Sequence, residues 1–280
     1  MLAFKVVSVL ALLSFGGFST FLFTMCQSNT ALETNDSVGN TIGTRFKTPK
    51  GYTRTFSDSL AFGSYLRTVE LQAIGSDVHL FNGEVKSNKI HAGILKFDVG
   101  KKDLQQSADA CMRLRAEYLY SQKRYTEIQF SFTNGFVANY GEWRKGKRIL
   151  VNGNNVNWSA AGKADTSRTS FRAYLDKVYT YAGTLSLQNS LKATSFAQLQ
   201  IGDLIVQGGS PGHAVTIVDM AQNEEGKTIV LIAQSYMPAQ EIHVVQNLSD
   251  TSLSPWIVIE ENARVETPEW DFKANSWKKW

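Results

Sequence analysis

Residues 201–236 read IGDLIVQGGSPGHAVTIVDMAQNEEGKTIVLIAQSY. This stretch contains three apolar runs rich in β-branched residues, separated by glycine-containing turns, and this pattern predicts neighbouring strands. Two further strand-like runs, EIHVVQ and WIVIE, follow it. The C-terminal half is therefore predicted to form an antiparallel sheet.

Helical patterns come before this sheet. Residues 103–122 give the longest one, with Asp103 as the expected N-cap and Gln106 at the capping-box position. Residues 171–182 predict a second helix, which Ser167 or Thr169 can cap. Residues 141–163 show no clear period and predict a long loop. Helices first and a sheet after them favour an α+β fold with helices packed on the sheet.

The first residues are predicted to lie outside the fold. Residues 6–25 carry no charge and follow Lys5, which is typical of a secretory signal. Cys26 then precedes a polar segment, and this resembles a bacterial lipoprotein signal whose cysteine is acylated. The alternative is an ordinary cysteine beside a signal anchor. We expect a signal peptide at 1–26, a polar tether at 27–44 and one α+β domain at 45–280, exported and membrane-anchored in the bacterial cell envelope.

The charge pattern and the cysteine and histidine content indicate which classes of partner and bound group to expect. The net charge is +4 and both signs are interspersed, so no basic stripe indicates nucleic-acid binding. If Cys26 is acylated, Cys111 is the only remaining thiol and no intrachain disulfide can form. No histidine or cysteine spacing predicts a metal site, and we expect no cofactor. The other histidines, His79, His91 and His243, lie in alternating strands and are interpreted as structural. The sequence leaves the oligomeric state open.

The side chains of the long helix divide unevenly around a helical wheel. The predicted apolar stripe contains Leu104, Ala108, Met112, Leu114, Tyr118 and Leu119. The opposite side is predicted to be solvated and carries Asp109, Arg113 and Glu117. Three polar residues lie within the stripe: Ser107, Cys111 and Arg115.

These three residues are the candidates for function on the helix. Ser107 belongs to the first turn, where backbone N–H groups and the helix dipole stabilise an anion. Cys111 lies one turn further along. Arg115 must be paired or must open into a cleft, because an isolated buried charge is costly. Alternatively, its stem extends until the guanidinium reaches water.

His213 is the remaining candidate, and it follows a loop that contains Gly208, Gly209, Ser210 and Gly212. A helix N-terminus with a nucleophile and a histidine that opens a strand resemble the papain-like superfamily. The Gly-Asp-Leu strand before the Gly-His strand is similar to the NlpC/P60 and CHAP amidase groups. The resemblance implies His213 as base and a loop that leaves room for substrate. The next strand is expected to bring Gln234 or Ser235 beside His213, and Gln234 is the candidate orienter through its amide oxygen. Alternatively, His213 only caps a strand.

A second resemblance covers the chain from about residue 45. The motifs FKTPKGYTR, SYLRTVEL, DLQQSADACMRLRAEYLY, FRAYLDKVYTYAGTLSL, GDLIVQGGSPGHAVTIVDMA and QSYMPAQEIHVV resemble a bacterial family of unknown function, number 4846. The family's pattern carries a cysteine at the position of Ser107. This implies a nucleophile site at that position, where serine is much weaker than cysteine. The protein then uses Ser107 as its nucleophile, uses Cys111 in its place, or is catalytically inactive.

Three functions follow from these patterns. The first is a papain-like hydrolase or acyl transferase that acts on amide bonds of peptidoglycan peptides or a related substrate. The second is a catalytically degenerate protein that binds such a cell-wall peptide or another envelope ligand. The third is a structural lipoprotein. The Tyr and Trp residues of 140–158 and 256–280 can stack on sugars or belong to the core.

Overall fold

The computed structural model describes residues 39–280. Its strands are β1 (Tyr52–Arg54), β2 (His91–Ile94), β3 (Gln129–Ser131), β4 (Val137–Asn139), β5 (Arg148–Asn152), β6 (Asn155–Ser159), β7 (Lys192–Ala193), β8 (Leu204–Gln207), β9 (His213–Asn223), β10 (Thr228–Gln234), β11 (His243–Val245), β12 (Ile257–Ile259), β13 (Val265–Thr267), β14 (Trp270–Phe272) and β15 (Trp277–Lys279). Its α-helices are α1 (Ile42–Arg45), α2 (Phe62–Thr68), α3 (Ser107–Ser121), α4 (Tyr140–Arg144), α5 (Arg168–Tyr181) and α6 (Thr184–Ser190).

The apolar runs of the C-terminal half form the centre of a nine-stranded sheet. Seven strands follow in the order β2-β11-β10-β9-β8-β15-β7, while β1 pairs with β9 and β12 with β10. The pairings are antiparallel. Residues 213–221 of β9 are all buried, so both faces of the sheet are covered. The α+β architecture predicted from the sequence is confirmed.

One face of the sheet carries α3, and we call it the α3 face. The thiol of Cys111 lies beside the hydroxyl of Thr216 on β9. The Oγ of Ser235, which directly follows β10, lies 2.8 Å from the carbonyl oxygen of Gln105, just before α3. These contacts fix which side chains of β9 and β10 point toward the helix.

The opposite face is covered by the β13–β14 hairpin, and we call it the hairpin face. Phe272 of this hairpin is fully buried. Its ring centroid lies 5.6 Å from that of His213, and the centroid of Trp270 lies 5.4 Å away. The start of β9 is thus enclosed between the hairpin and the sheet.

The long helix begins later than the sequence indicates. Its N-cap is Gln106, whose backbone N–H donates to Asp109 Oδ2 at 3.1 Å. The predicted N-cap, Asp103, lies before the helix, where Oδ1 accepts from Ala239 N and from Gln106 Nε2. The capping box therefore exists one turn further along, with Asp109 as its acid.

The prediction that one side of α3 faces solvent is wrong. Arg113 and Glu117 are 4% and 6% exposed, and Arg113 Nε donates to Glu117 Oε1 at 2.8 Å. Arg168 of α5 adds two bonds to the same carboxylate, at 2.8 and 2.9 Å. The helix packs against α5 on its charged side, and paired charges make that burial tolerable.

The segment predicted to be a loop is also ordered. Residues 140–159 form α4 and the β5–β6 hairpin. Tyr140 and Trp143 are buried there, as are Trp256 and Trp277 near the C-terminus. These rings belong to the core, so they do not form a surface for stacking on sugars.

The folded part reaches beyond the predicted start at residue 45. Ile42 is fully buried in α1, so the tether predicted to end at residue 44 is too long. The signal segment and Cys26 lie outside the described residues. Within the described part, no helix has the length and apolar character that a membrane span requires.

Candidate functional site

His213 is held in one orientation by Gln234. The ring is 1% exposed, and its Nε2 lies 2.9 Å from Gln234 Oε1. Gln234 Nε2 donates to Glu269 Oε2 at 2.6 Å, which fixes the amide so that its oxygen faces the ring. The Nε2 of His213 therefore carries the proton, and Nδ1 has no hydrogen-bond partner among residues 39–280. Sequence reasoning selected Gln234 for this contact.

The hydrogen bonds continue into a buried polar network on the hairpin face. Glu269 Oε1 accepts from Lys86 Nζ at 2.6 Å, and His243 Nε2 lies 3.5 Å from the Gln234 amide nitrogen. Burial lowers the pKa of both His213 and His243 to about 4, so both rings are neutral near pH 7. Among the described residues, no cluster of three potential metal ligands exists.

The structure does not bring Ser107 and His213 together. Side chains alternate along a strand, and β9 pairs regularly with β8 from His213 to Thr216. Since Thr216 points to the α3 face, His213 points to the hairpin face, where it contacts Trp270 and Gln234. The sheet therefore lies between the helix and the imidazole, and the dyad predicted from the sequence is not assembled here.

Cys111 is buried in the core below α3. It is 1% exposed, and burial raises the pKa of its thiol to about 12. A thiol reacts as a thiolate, which this environment disfavours. The structure gives Cys111 the character of an inert core residue.

Ser107 lies instead with the glycine-rich loop in one cleft of about 350 Å³, which we call the Ser107 cleft. Gly209, Ser210 and Gly212 line it together with Ser107. A Cβ on Gly212 would lie 2.4 Å from Thr184 Oγ1, so the close approach of loop and α6 requires glycine. Gly208 donates its N–H to Gln188 Oε1 at 2.7 Å.

Arg115 lines a cleft of about 690 Å³, which we call the Arg115 cleft. Its guanidinium carbon lies 5.2, 5.4 and 5.9 Å from the ring centroids of Phe62, Tyr118 and Trp280. No carboxylate and no hydrogen-bond acceptor in the described part of the chain pairs with it. Burial lowers the pKa of the guanidinium. Arg115 therefore opens into a cleft and is not ion-paired.

Three further charged residues line the Arg115 cleft, namely Asp58, Asp203 and Lys279, and sequence reasoning assigned none of them to it. Burial raises the pKa of Asp203 to about 6, while the N–H of Gln200 and the charge of Lys279 oppose that shift. Sequence reasoning used Asp203 only as part of the Gly-Asp-Leu motif that indicates a strand. Lys279 lies on β15, between β8 and β7, and no local pattern indicates that it lines the same cleft as Arg115.

Comparison with known proteins gives one match. The family described as domain of unknown function 4846 matches residues 42–279. No curated protein and no solved structure matches the chain. Because the family match spans nearly all of the described residues, the chain belongs to the domain of unknown function 4846 family.

Proposed function

We propose that this protein is a non-catalytic cell-envelope binding protein whose Arg115 cleft takes a carboxylate-bearing ligand, such as a cell-wall peptide. The observation that carries the proposal is the unpaired guanidinium of Arg115. Three rings hold its position, yet its donors have no acceptor in the described part of the chain. A partly buried charge of this kind gains most from an incoming anion.

The size of the Arg115 cleft and the geometry of its guanidinium support a carboxylate. Its volume of about 690 Å³ lies in the range of small-ligand sites. The planar guanidinium matches a carboxylate through two parallel hydrogen bonds, and flanking rings preserve that geometry. Lys279 supplies a second positive charge. No histidine or cysteine is among the described residues that line the cleft, so the lining supplies neither a thiol nucleophile nor an imidazole base.

The test compares one ligand in two charge states. Calorimetry would measure binding of a synthetic cell-wall stem peptide with free carboxylates and of the same peptide with its carboxylates amidated. Charge-assisted hydrogen bonds contribute about 1.5–3 kcal/mol. We therefore expect the free acid to bind roughly 10- to 100-fold more tightly, and Arg115→Gln to remove that advantage.

The matched control is Arg264→Gln. Arg264 is exposed and pairs with Asp271 on the hairpin, away from the Arg115 cleft, so its loss removes the same charge without touching the site. Circular dichroism would establish that both variants fold. Equal affinities for acid and amide, equal effects of the two substitutions, or no binding of the acid would each refute the proposal.

A papain-like hydrolase is the second candidate, and the His213–Gln234 hydrogen bond favours it because it leaves Nδ1 available as a base. This function requires the β13–β14 hairpin and β9 to rearrange so that His213 reaches position 107. Ser107→Cys in a Cys111→Ala background tests it. The new thiol should react with iodoacetamide faster than free cysteine, and His213→Ala should slow it. A rate equal to that of free cysteine would remove this candidate.

A further inference from the structure

The Ser107 cleft contains polar side chains that lack partners. Ser107 is only 7% exposed, it lines the cleft, and its Oγ has no hydrogen-bond partner in the described part of the chain. Tyr179 Oη and Asp109 Oδ1, from two other positions on the cleft wall, are buried without hydrogen bonds within residues 39–280. Buried polar groups are normally paired, so two buried unpartnered groups beside the unbonded Ser107 hydroxyl indicate a missing hydrogen-bonding ligand.

The charge of this cleft excludes an anion as the best ligand. None of the described residues that line it is lysine, arginine or histidine. Burial raises the pKa of Asp109 well above its usual range, which favours the protonated carboxyl, a form that can donate as well as accept. Asp103 is already engaged through Oδ1 with Ala239 N and Gln106 Nε2. Apart from the Asp103 carboxyl group, the cleft presents hydroxyl groups that both donate and accept.

From this arrangement we infer that the Ser107 cleft binds a neutral saccharide. Sugar hydroxyls are both donors and acceptors, and Ser107, Thr184 and Ser210 offer the same chemistry from three elements around the cleft. The backbone of the glycine-rich loop can approach a sugar closely because no side chain projects from Gly209 or Gly212. The volume of about 350 Å³ suits a small ligand.

This site is separate from the Arg115 cleft. No residue lines both clefts. The saccharide inference therefore goes beyond the carboxylate proposal, and either can fail while the other holds.

The first experiment uses the unmodified protein. N,N′-diacetylchitobiose, a neutral amino-sugar disaccharide, would be titrated while backbone amide shifts are recorded by NMR. We expect saturable shifts at Ser107, Gly209 and Gly212 and none around Arg115. Lysine methyl ester serves as a cationic probe of similar small size. No shifts with the disaccharide, shifts confined to other regions, or shifts at these residues with the ester alone would each overturn the inference.

The second experiment removes single hydroxyls. Ser107→Ala and Tyr179→Phe should each weaken binding of the disaccharide about two- to tenfold, since each deletes one neutral hydrogen bond. Ser121→Ala and Tyr181→Phe are matched controls on the same two helices, and neither residue lines the cleft. Equal affinity in all four variants would overturn the assignment. If Tyr179→Phe fails to fold, Ser107→Ala and the shifts of the unmodified protein still decide the question.

Discussion

The turn of the β13–β14 hairpin forms a buried ion pair with Lys86, which lies in the segment before β2, and replacing Glu269 by glutamine tests how much that pair contributes. Glu269 and Lys86 are 10% and 7% exposed at the side chain, with Nζ and Oε1 2.6 Å apart. Glutamine keeps the shape and one hydrogen bond but leaves the Lys86 ammonium without its counter-charge.

The expected cost follows from burial. Removing one partner of a buried pair typically costs about 3–5 kcal/mol, because an uncompensated charge stays inside the protein. A loss of 1 kcal/mol lowers the Tm of a domain of this size by about 2–4 °C. The Glu269→Gln variant should therefore melt roughly 6–20 °C below the parent.

The chain offers a control with the same chemistry at the surface. Lys96 and Glu70 form a pair of 2.9 Å in which the side chains are 51% and 57% exposed. Such a pair contributes about 0–1 kcal/mol, so Glu70→Gln should shift the Tm by no more than about 4 °C. Calorimetric melting of the two variants decides the matter. Equal shifts in Tm would show that burial does not determine how much the Glu269–Lys86 pair contributes to stability, and they would refute this prediction.

Two further predictions concern titration and reactivity. His213 and His243 take up protons near pH 6.5 in the unfolded chain and only near pH 4 in the folded chain, so stability should fall as pH decreases through this window. Melting curves at several pH values should show a smaller loss of stability in His243→Gln than in the parent. An equal loss in both proteins would contradict this assignment. Cys111, whose thiol pKa burial raises to about 12, should resist iodoacetamide at pH 8 until the protein is unfolded, and rapid labelling of the folded protein would show that the site is open.

Local patterns were enough for the sheet and for one contact of the candidate site. The three apolar runs of residues 201–236 became β8, β9 and β10, since each run is long and bounded by turns. Gln234 was placed beside His213 because a short turn between β9 and β10 makes those strands neighbours. Both inferences depend only on adjacent segments of chain.

The failures involve contacts between distant segments. A helical wheel assigns Arg113 and Glu117 to water because it cannot include Arg168, which arrives from α5 and supplies the missing charge. The hairpin that buries His213 lies more than fifty residues further along the chain, and a short strand pattern carries no information about which face it covers. Sequence reasoning therefore could not determine which face of the sheet His213 occupies, or whether His213 approaches Ser107.

The two clefts lie near opposite parts of α3, and this arrangement leads to a final prediction. Ser107 and Arg115 are eight positions apart on α3, which at 1.5 Å per residue is about 12 Å along its axis. A cell-wall fragment that joins a disaccharide to a peptide carries both the neutral hydroxyls and the carboxylate that the two clefts would take. If it reaches both clefts at once, it should bind well beyond the tighter of its two parts, because the second contact becomes intramolecular. Calorimetry with the joined fragment, the free disaccharide and the free peptide measures this. Affinity for the joined fragment that only equals that of its better part would mean that the two clefts act separately.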